Sequence, residues 1–383
     1  MTNLEKWIWQ QKGWPEYIYD KQKLDNLESQ FLLSAGEFLG SIRHINDDDR
    51  NELTVELISD EAYKTSEIEG EILDRDSLQS SIKRNFGLST DNRKIPPAER
   101  GIAEMLTDLY LNFAEPLSHD TLFRWHEMVC SGRRDLENIG QYRTHEAPMQ
   151  VVSGANYMRT VHYEAPPSKN MSEEMKRFID WFNNTSTGGE TPLPALTRAS
   201  LAHLYFVLIH PFEDGNGRIG RAIAEKALSQ CLERPTLIAL SRTIQDERKA
   251  YFDSLERNNK RLEITLWMTY FSQTILDAQA RSMELIKFLI SKTRFFDQYN
   301  EVLNARQKKV IARLFKEGPS GFKGGLSAKN YNTIAKTSSS TATRDLKDLV
   351  DKGILKQTGE KKSTRYWLIQ QHEYMQPMEA KHV

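Results

Sequence analysis

Cysteine is almost missing from this chain. The two residues present, Cys130 and Cys231, lie far apart and have no metal-ligand spacing, which excludes a disulfide-stapled scaffold and a cysteine zinc site and suits a reducing compartment. Charge of one sign is also lacking: 52 Lys and Arg face 53 Asp and Glu, a formal net charge of −1, so the chain as a whole has no general pull toward nucleic acid or a membrane surface. No run comes near the ~18 apolar residues a bilayer-spanning helix needs. The opening, MTNLEKWIWQQKGWPEYIYD, is too polar for the apolar core of a signal peptide. A cytoplasmic location with no membrane partner is the expectation. Regular alternation of strand and helix patterns is missing as well, which argues against a parallel sheet. What remains is ordinary for globular protein, 39% hydrophobic and 27% charged over 383 residues, enough for two or three domains.

The most informative stretch is Leu201 to Arg221, LAHLYFVLIHPFEDGNGRIGR. Nine apolar or aromatic residues predict a buried element that ends at His210 and Pro211. Asp214, the small residues Gly215, Asn216 and Gly217, and the arginines Arg218 and Arg221 follow as a second element begins. Small residues let backbone N–H groups converge on an anion, a helix N-terminus adds partial positive charge, and arginines clamp further phosphates. GNGRIG also satisfies G-x-G-x-x-G, but Pro211 and two acids separate the apolar run from the first glycine, unlike a dinucleotide fingerprint. Without a second histidine nearby, a zinc site is disfavoured. Triphosphate chemistry with Mg²⁺ fits best: Asp214 is a hard oxygen ligand for the metal, and His210 can take a proton from an incoming hydroxyl.

HPFEDGNGRIGR resembles the signature of the Fic family, HPFx[D/E]GNGRxxR, at every specified position. The resemblance implies a mainly α fold, a Fic-type helical core with a β-hairpin flap. It also implies transfer of AMP from ATP to a Ser, Thr or Tyr hydroxyl of a target protein. His210 would be the catalytic base, with ATP held by Gly215, Asn216, Gly217, Arg218 and Arg221 and the metal by Asp214.

Three regions are expected: 1–95, an N-terminal helical region; 96–290, the catalytic domain; and 291–383, a connecting helix with a winged-helix domain. Trp7, Trp9, Trp14, Tyr17 and Tyr19 read as a small aromatic core. Leu24, Leu27, Phe31, Ala35, Phe38, Leu39 and Ile42 share one helix face, and a second helix runs on from Asn51. That helix ends in TSEIEG (Thr65–Gly70), which resembles the family's inhibitory pattern [S/T]xxxE[G/N]; by that resemblance Glu69 pairs with Arg221 and keeps it from the γ-phosphate. Plain acidic helix surface is the alternative, since Glu67, Glu69 and Glu71 alternate. In the central region MQVV and TVHY predict a hairpin with its turn at Ser153-Gly154-Ala155-Asn156. In the family such a flap (149–163 here) holds a target segment by strand addition. His126 reads as structural, and His145 and His162 receive no role. One helix is expected over LIALSRTIQDERKAYFDSLERNN, and the resemblance makes its Tyr251, Phe252 and Asn259 candidates for adenosine.

Residues 306–370 hold fifteen Lys or Arg against five Asp or Glu. Three helices and a charged hairpin there resemble a winged helix-turn-helix, with 338–349 as recognition helix and Arg344 and Lys347 facing duplex DNA. Two alternatives stay open: a nucleotide-responsive transcription regulator without transfer activity, and an enzyme that both adds and removes AMP. Homodimerisation is also left open.

Overall fold

The computed structural model describes residues 6–42, 47–154, 159–236, 238–318 and 321–369. Ala155 and Asn156 of the expected hairpin turn lie outside the described residues, as do the chain from Gln370 onward and the side chains of Phe38, Leu39 and Ile42. The chain divides into two compact units, 1–40 with 51–282, and 41–50 with 283–383.

The first unit carries nearly all of α1 (Gln22–Ile42), most of α2 (Asp47–Ile68), α3 (Arg75–Asn85), α4 (Pro97–Leu111), α5 (His119–Val129), β1 (Gln150–Ser153), β2 (Thr160–Glu164), α6 (Met171–Asn184), α7 (Ala195–Ile209), α8 (Asn216–Leu232), α9 (Leu240–Asp246), α10 (Arg248–Arg257) and the first half of α11 (Thr265–Tyr299). Its axis is α7. Every residue of that helix except Val207 is buried, as expected of a helix apolar on all sides. A carboxylate brought from α1 caps its start: Glu28 accepts hydrogen bonds from the N–H groups of Leu196 (3.0 Å) and Thr197 (2.7 Å), where the helix dipole favours negative charge. α7 and α8 form a helical hairpin joined by residues 210–215, and the candidate site lies in that joint.

The expected boundary at 95/96 is not a packing boundary. Leu24, Phe31 and Ile58 belong to the same apolar core as Leu204, Phe206 and Ile223, because the inner faces of α1 and α2 find their burial against the central helices. Likewise the second boundary falls inside α11, at 282/283 rather than 290/291. The opening aromatic residues join this core: Trp14, Tyr17 and Tyr205 meet edge to face, and the Trp14 indole N–H donates to Glu174 at 3.0 Å. The helix expected over 237–259 is two helices, divided at Glu247, where the backbone leaves helical geometry. β1 and β2 pair antiparallel, Val151 opposite Tyr163 and Val152 opposite Val161, with an irregularity between Val151 and Val152. Val151, Val152 and Val161 are exposed.

The second unit contains α12 (Ala305–Phe315), α13 (Ala328–Ala335), α14 (Ser339–Asp351) and the antiparallel pair β3 (Leu355–Thr358) and β4 (Arg365–Leu368). Its separate core includes Val310, Leu314, Tyr331, Leu346, Leu349 and Leu368. The Ser338 hydroxyl caps α14 by accepting from the Thr341 N–H. Among the described residues no helix is long and apolar enough to cross a membrane.

Candidate active site

The joint between α7 and α8 is fixed from several sides. His210 ends α7 in the left-handed conformation (φ 52°, ψ 59°), a geometry that costs a non-glycine residue roughly 1–2 kcal/mol and that the surroundings must impose. Arg143 supplies much of that constraint: from a buried position it donates to His210 O (2.8 Å), Ser168 Oγ (2.8 Å) and Pro166 O (2.5 Å), while its own N–H donates to Pro211 O (3.0 Å). Phe212 is fully buried and stacks on His126 with ring centroids 4.1 Å apart. Asn216 binds back to Phe212 twice, accepting from its N–H (3.0 Å) and donating to its carbonyl (2.9 Å). The side chain of Asn216 therefore holds the loop, and only its backbone N–H is left for an anion. Gly215 (φ 80°) adopts a conformation for which glycine pays no Cβ penalty.

His210 Nδ1 lies 3.2 Å from Val207 O, so the ring proton is held on Nδ1 and Nε2 keeps its lone pair. Burial pushes its pKa down to about 4, which leaves the ring neutral at pH 7. The flap is tied close by. Tyr163 on β2 donates to Leu208 O at 2.5 Å, and Asn259 donates to His162 O at 2.8 Å.

Both arginines at the start of α8 are occupied by the last turn of α2 and the segment that follows it. Arg221, 1% exposed, donates to Thr65 Oγ1 (2.8 Å), Thr65 O (2.9 Å) and Glu69 Oε1 (2.9 Å). Glu69 also fills the space above Gly217, for a Cβ at that position would collide with its carboxylate. Arg218 donates to Glu71 Oε2 at 2.8 Å. The three alternating acids are thus not one solvated face: Glu67 pairs with Lys64 (2.5 Å), and the other two turn to α8. Arg218 Nε and Arg221 Nη1 are buried without a hydrogen-bond partner, spare donors beside an acid-filled cradle.

Burial opposes ionisation of Asp214, but hydrogen bonds from Arg133 and the Gly215 N–H, together with the charge of Arg218, hold its pKa below the usual carboxylate value. Among the described residues no three His, Cys, Asp or Glu side chains form a metal cage. A single ionised carboxylate is the kind of hard oxygen ligand that Mg²⁺ takes in ones and twos. The adenosine candidates divide. Tyr251 is 1% exposed, with its hydroxyl 2.8 Å from His203 Nε2, so it supports the site from the core rather than lining it. Phe252 has accessible surface, under the Arg248 guanidinium at 4.9 Å, and Asn259 keeps Oδ1 without a partner.

Residues 116–228 match the Fic/DOC family. That match to a Fic domain covers less than a third of the chain. Residues 7–88 separately match a domain of unknown function, DUF4172. A protein adenylyltransferase, fic-1 of Caenorhabditis elegans, is 28% identical over 145 residues, and protein adenylyltransferase Fic of Drosophila willistoni is 30% identical over 113. These stretches cover 38% and 28% of this chain but only 25% and 21% of the relatives. A crystal structure of a Fic family protein from Desulfovibrio desulfuricans G20 aligns over 92% of this chain and 98% of its own, with a TM-score of 0.53 and 18% identity. The mainly helical Fic fold expected from the sequence is thereby established.

Within the Fic domain and around it, the sequence reading missed Arg143, Arg133 and Glu71. The first two sit among charged loop residues with no spacing signal, and Glu71 follows the inhibitory pattern rather than belonging to it.

Proposed function

We propose that the chain is a protein adenylyltransferase that moves AMP from ATP to a Ser, Thr or Tyr hydroxyl of a target protein and is restrained by Glu69. The observation that carries this reading is the neutral His210, with Nε2 free, one short loop away from the arginine-flanked N-terminus of α8. The local likeness to relatives named protein adenylyltransferases supports it.

In this mechanism the backbone N–H groups of Asn216 and Gly217 take the inner phosphates, that of Gly215 being held by Asp214, while Arg218 and Arg221 take the outer ones, and Phe252 and Asn259 lie toward the adenosine. A target segment adds to a free edge of the β1–β2 hairpin, which fixes its register without a deep pocket. His210 Nε2 accepts the hydroxyl proton as that oxygen bonds to the α-phosphorus and the bond to pyrophosphate breaks. Mg²⁺ held by Asp214 would supply charge neutralisation on the phosphates. Incubating the protein with α-labelled and γ-labelled ATP in parallel tests the reading: label should reach protein from the α position alone. Label from the γ position would mean phosphate transfer, and none from either would leave only binding.

We also read the second unit as a winged helix-turn-helix that contacts duplex DNA. Supporting this is the way its charge is sorted on α14. Asp345 is turned inward to Arg306 (2.8 Å) and Tyr331 (3.0 Å), and Asp348 is engaged by Gln307 and Lys352, while Thr343, Arg344 and Lys347 face out. Binding in a mobility-shift assay should weaken steeply with salt, and Arg344→Ala with Lys347→Ala should lower the salt slope by about 2. A salt-independent shift would count against DNA.

A further inference from the structure

A bound triphosphate needs Arg218 and Arg221 together, and in this structure one short turn takes both. Gly70 (φ 86°) reverses the chain after α2, and the Glu71 N–H returns to Ser66 O at 3.0 Å. Glu69 and Glu71, on either side of that glycine, consequently point their carboxylates at α8, one to each arginine. We infer that Glu71 is a second determinant of polyphosphate binding, a carboxylate that stands in for a phosphate group on Arg218 and must leave before a triphosphate can seat.

Three observations carry this inference, which rests on the reading of 210–221 as a phosphate cradle. Arg218 is 5% exposed, so its pairing is not a loose surface contact. Its Nε is buried and unpartnered, so Glu71 does not satisfy every donor of the guanidinium. And the charges form an alternating chain, Glu71, Arg218, Asp214, Arg133, Asp135, in which Arg218 lies between two acids, 2.8 Å from Glu71 and 3.6 Å from Asp214. Asp214 is part of the cradle loop itself. Glu71 is the member of that chain that arrives from the segment after α2, and a polyanion bound to Arg218 repels it. If the closed arrangement predominates, apparent affinity falls by the fraction of molecules that are open.

The test is equilibrium binding to the full-length protein in the absence of Mg²⁺, with inorganic tripolyphosphate and adenosine as separate probes. Glu71 is 37% exposed, so Glu71→Gln keeps the fold, and unchanged adenosine affinity verifies that it has. Glu71→Gln should tighten tripolyphosphate binding roughly fivefold to tenfold at low salt, with the gain shrinking as salt rises. Equal tripolyphosphate affinity in wild type and variant, or an equal gain for adenosine, overturns the assignment of Glu71 while leaving the transferase reading intact. Absence of tripolyphosphate binding in every form removes the cradle reading and this inference with it.

Discussion

His210→Ala should abolish label transfer from α-labelled ATP, a loss of roughly 10²–10⁴-fold or more, while leaving nucleotide affinity within a few-fold of wild type. The asymmetry follows from where the parts come from. The N–H groups proposed to bind the phosphates and both arginines belong to the start of α8, and His210 closes the preceding helix. The expected loss is chemical because the imidazole is set up for one proton transfer, with Nδ1 committed to Val207 O and Nε2 left open. His210 sits in left-handed backbone geometry, so alanine there adds strain. His210→Asn tolerates that geometry and should be equally inactive, which separates loss of the base from distortion of the loop. The pH dependence has a definite sign. Burial holds the imidazole near a pKa of about 4, and only the unprotonated ring accepts a proton. Transfer rates should be insensitive to this group from pH 6 to 8 and fall as pH drops below about 5. An acid limb centred near 6.5, the ordinary histidine value, would show that the ring is solvated in the working enzyme and that the burial argument is wrong.

Much of the site was legible because its parts are neighbours in sequence. His210, Asp214, the small residues and the arginines occupy one helix end, one loop and the next helix start, and residue chemistry at short spacing is what sequence patterns carry well. Contacts made by tertiary packing left less trace. Arg218 and Glu71 are 147 positions apart, Arg133 and Asp214 81, Arg143 and His210 67, and a charged loop residue advertises no distant partner. Glu69 stood out only through its family pattern. Periodicity placed Tyr251 and Phe252 on a helix but could not say which faced outward: adjacent residues point about 100° apart, and the core took the first. The N-terminal region read as separate because its helices were placed one at a time from local periodicity, whereas the reach of Glu28 to the start of α7 is set by packing. In the second unit, local rules sufficed. Serine before α14, apolar spacing along each helix and β-rich residues around a charged turn all agree with one another, and the structure has the same order of elements.

Glu69→Gly should raise α-label transfer by roughly 10- to 100-fold, because it frees the arginine through which 1.4 kcal/mol of misalignment costs each factor of about ten. The substitution removes the 2.9 Å hydrogen bond from Arg221 Nη2 to Glu69 Oε1. The two bonds to Thr65 survive it, so the guanidinium stays held in place while Nη1, and Nη2 in part, lack a protein acceptor. Glycine also clears the volume above Gly217 that the carboxylate fills. The cost is a buried cation with less compensation, and since Glu69 is 30% exposed the loss of stability should be modest, about 1 kcal/mol. That deficit makes a second readout possible. A triphosphate on Arg221 replaces the missing anion, so ATP should raise the melting temperature of the variant by more than that of wild type, by mass action on the folded state. Unchanged labelling in Glu69→Gly, with a melting-temperature response to ATP equal to wild type, would mean that Arg221 does not bind phosphate and that its pairing with Glu69 is structural. Raised labelling that climbs again on adding Glu71→Gln would place the two acids on separate arginines of one substrate site, since independent interactions contribute additively to the barrier.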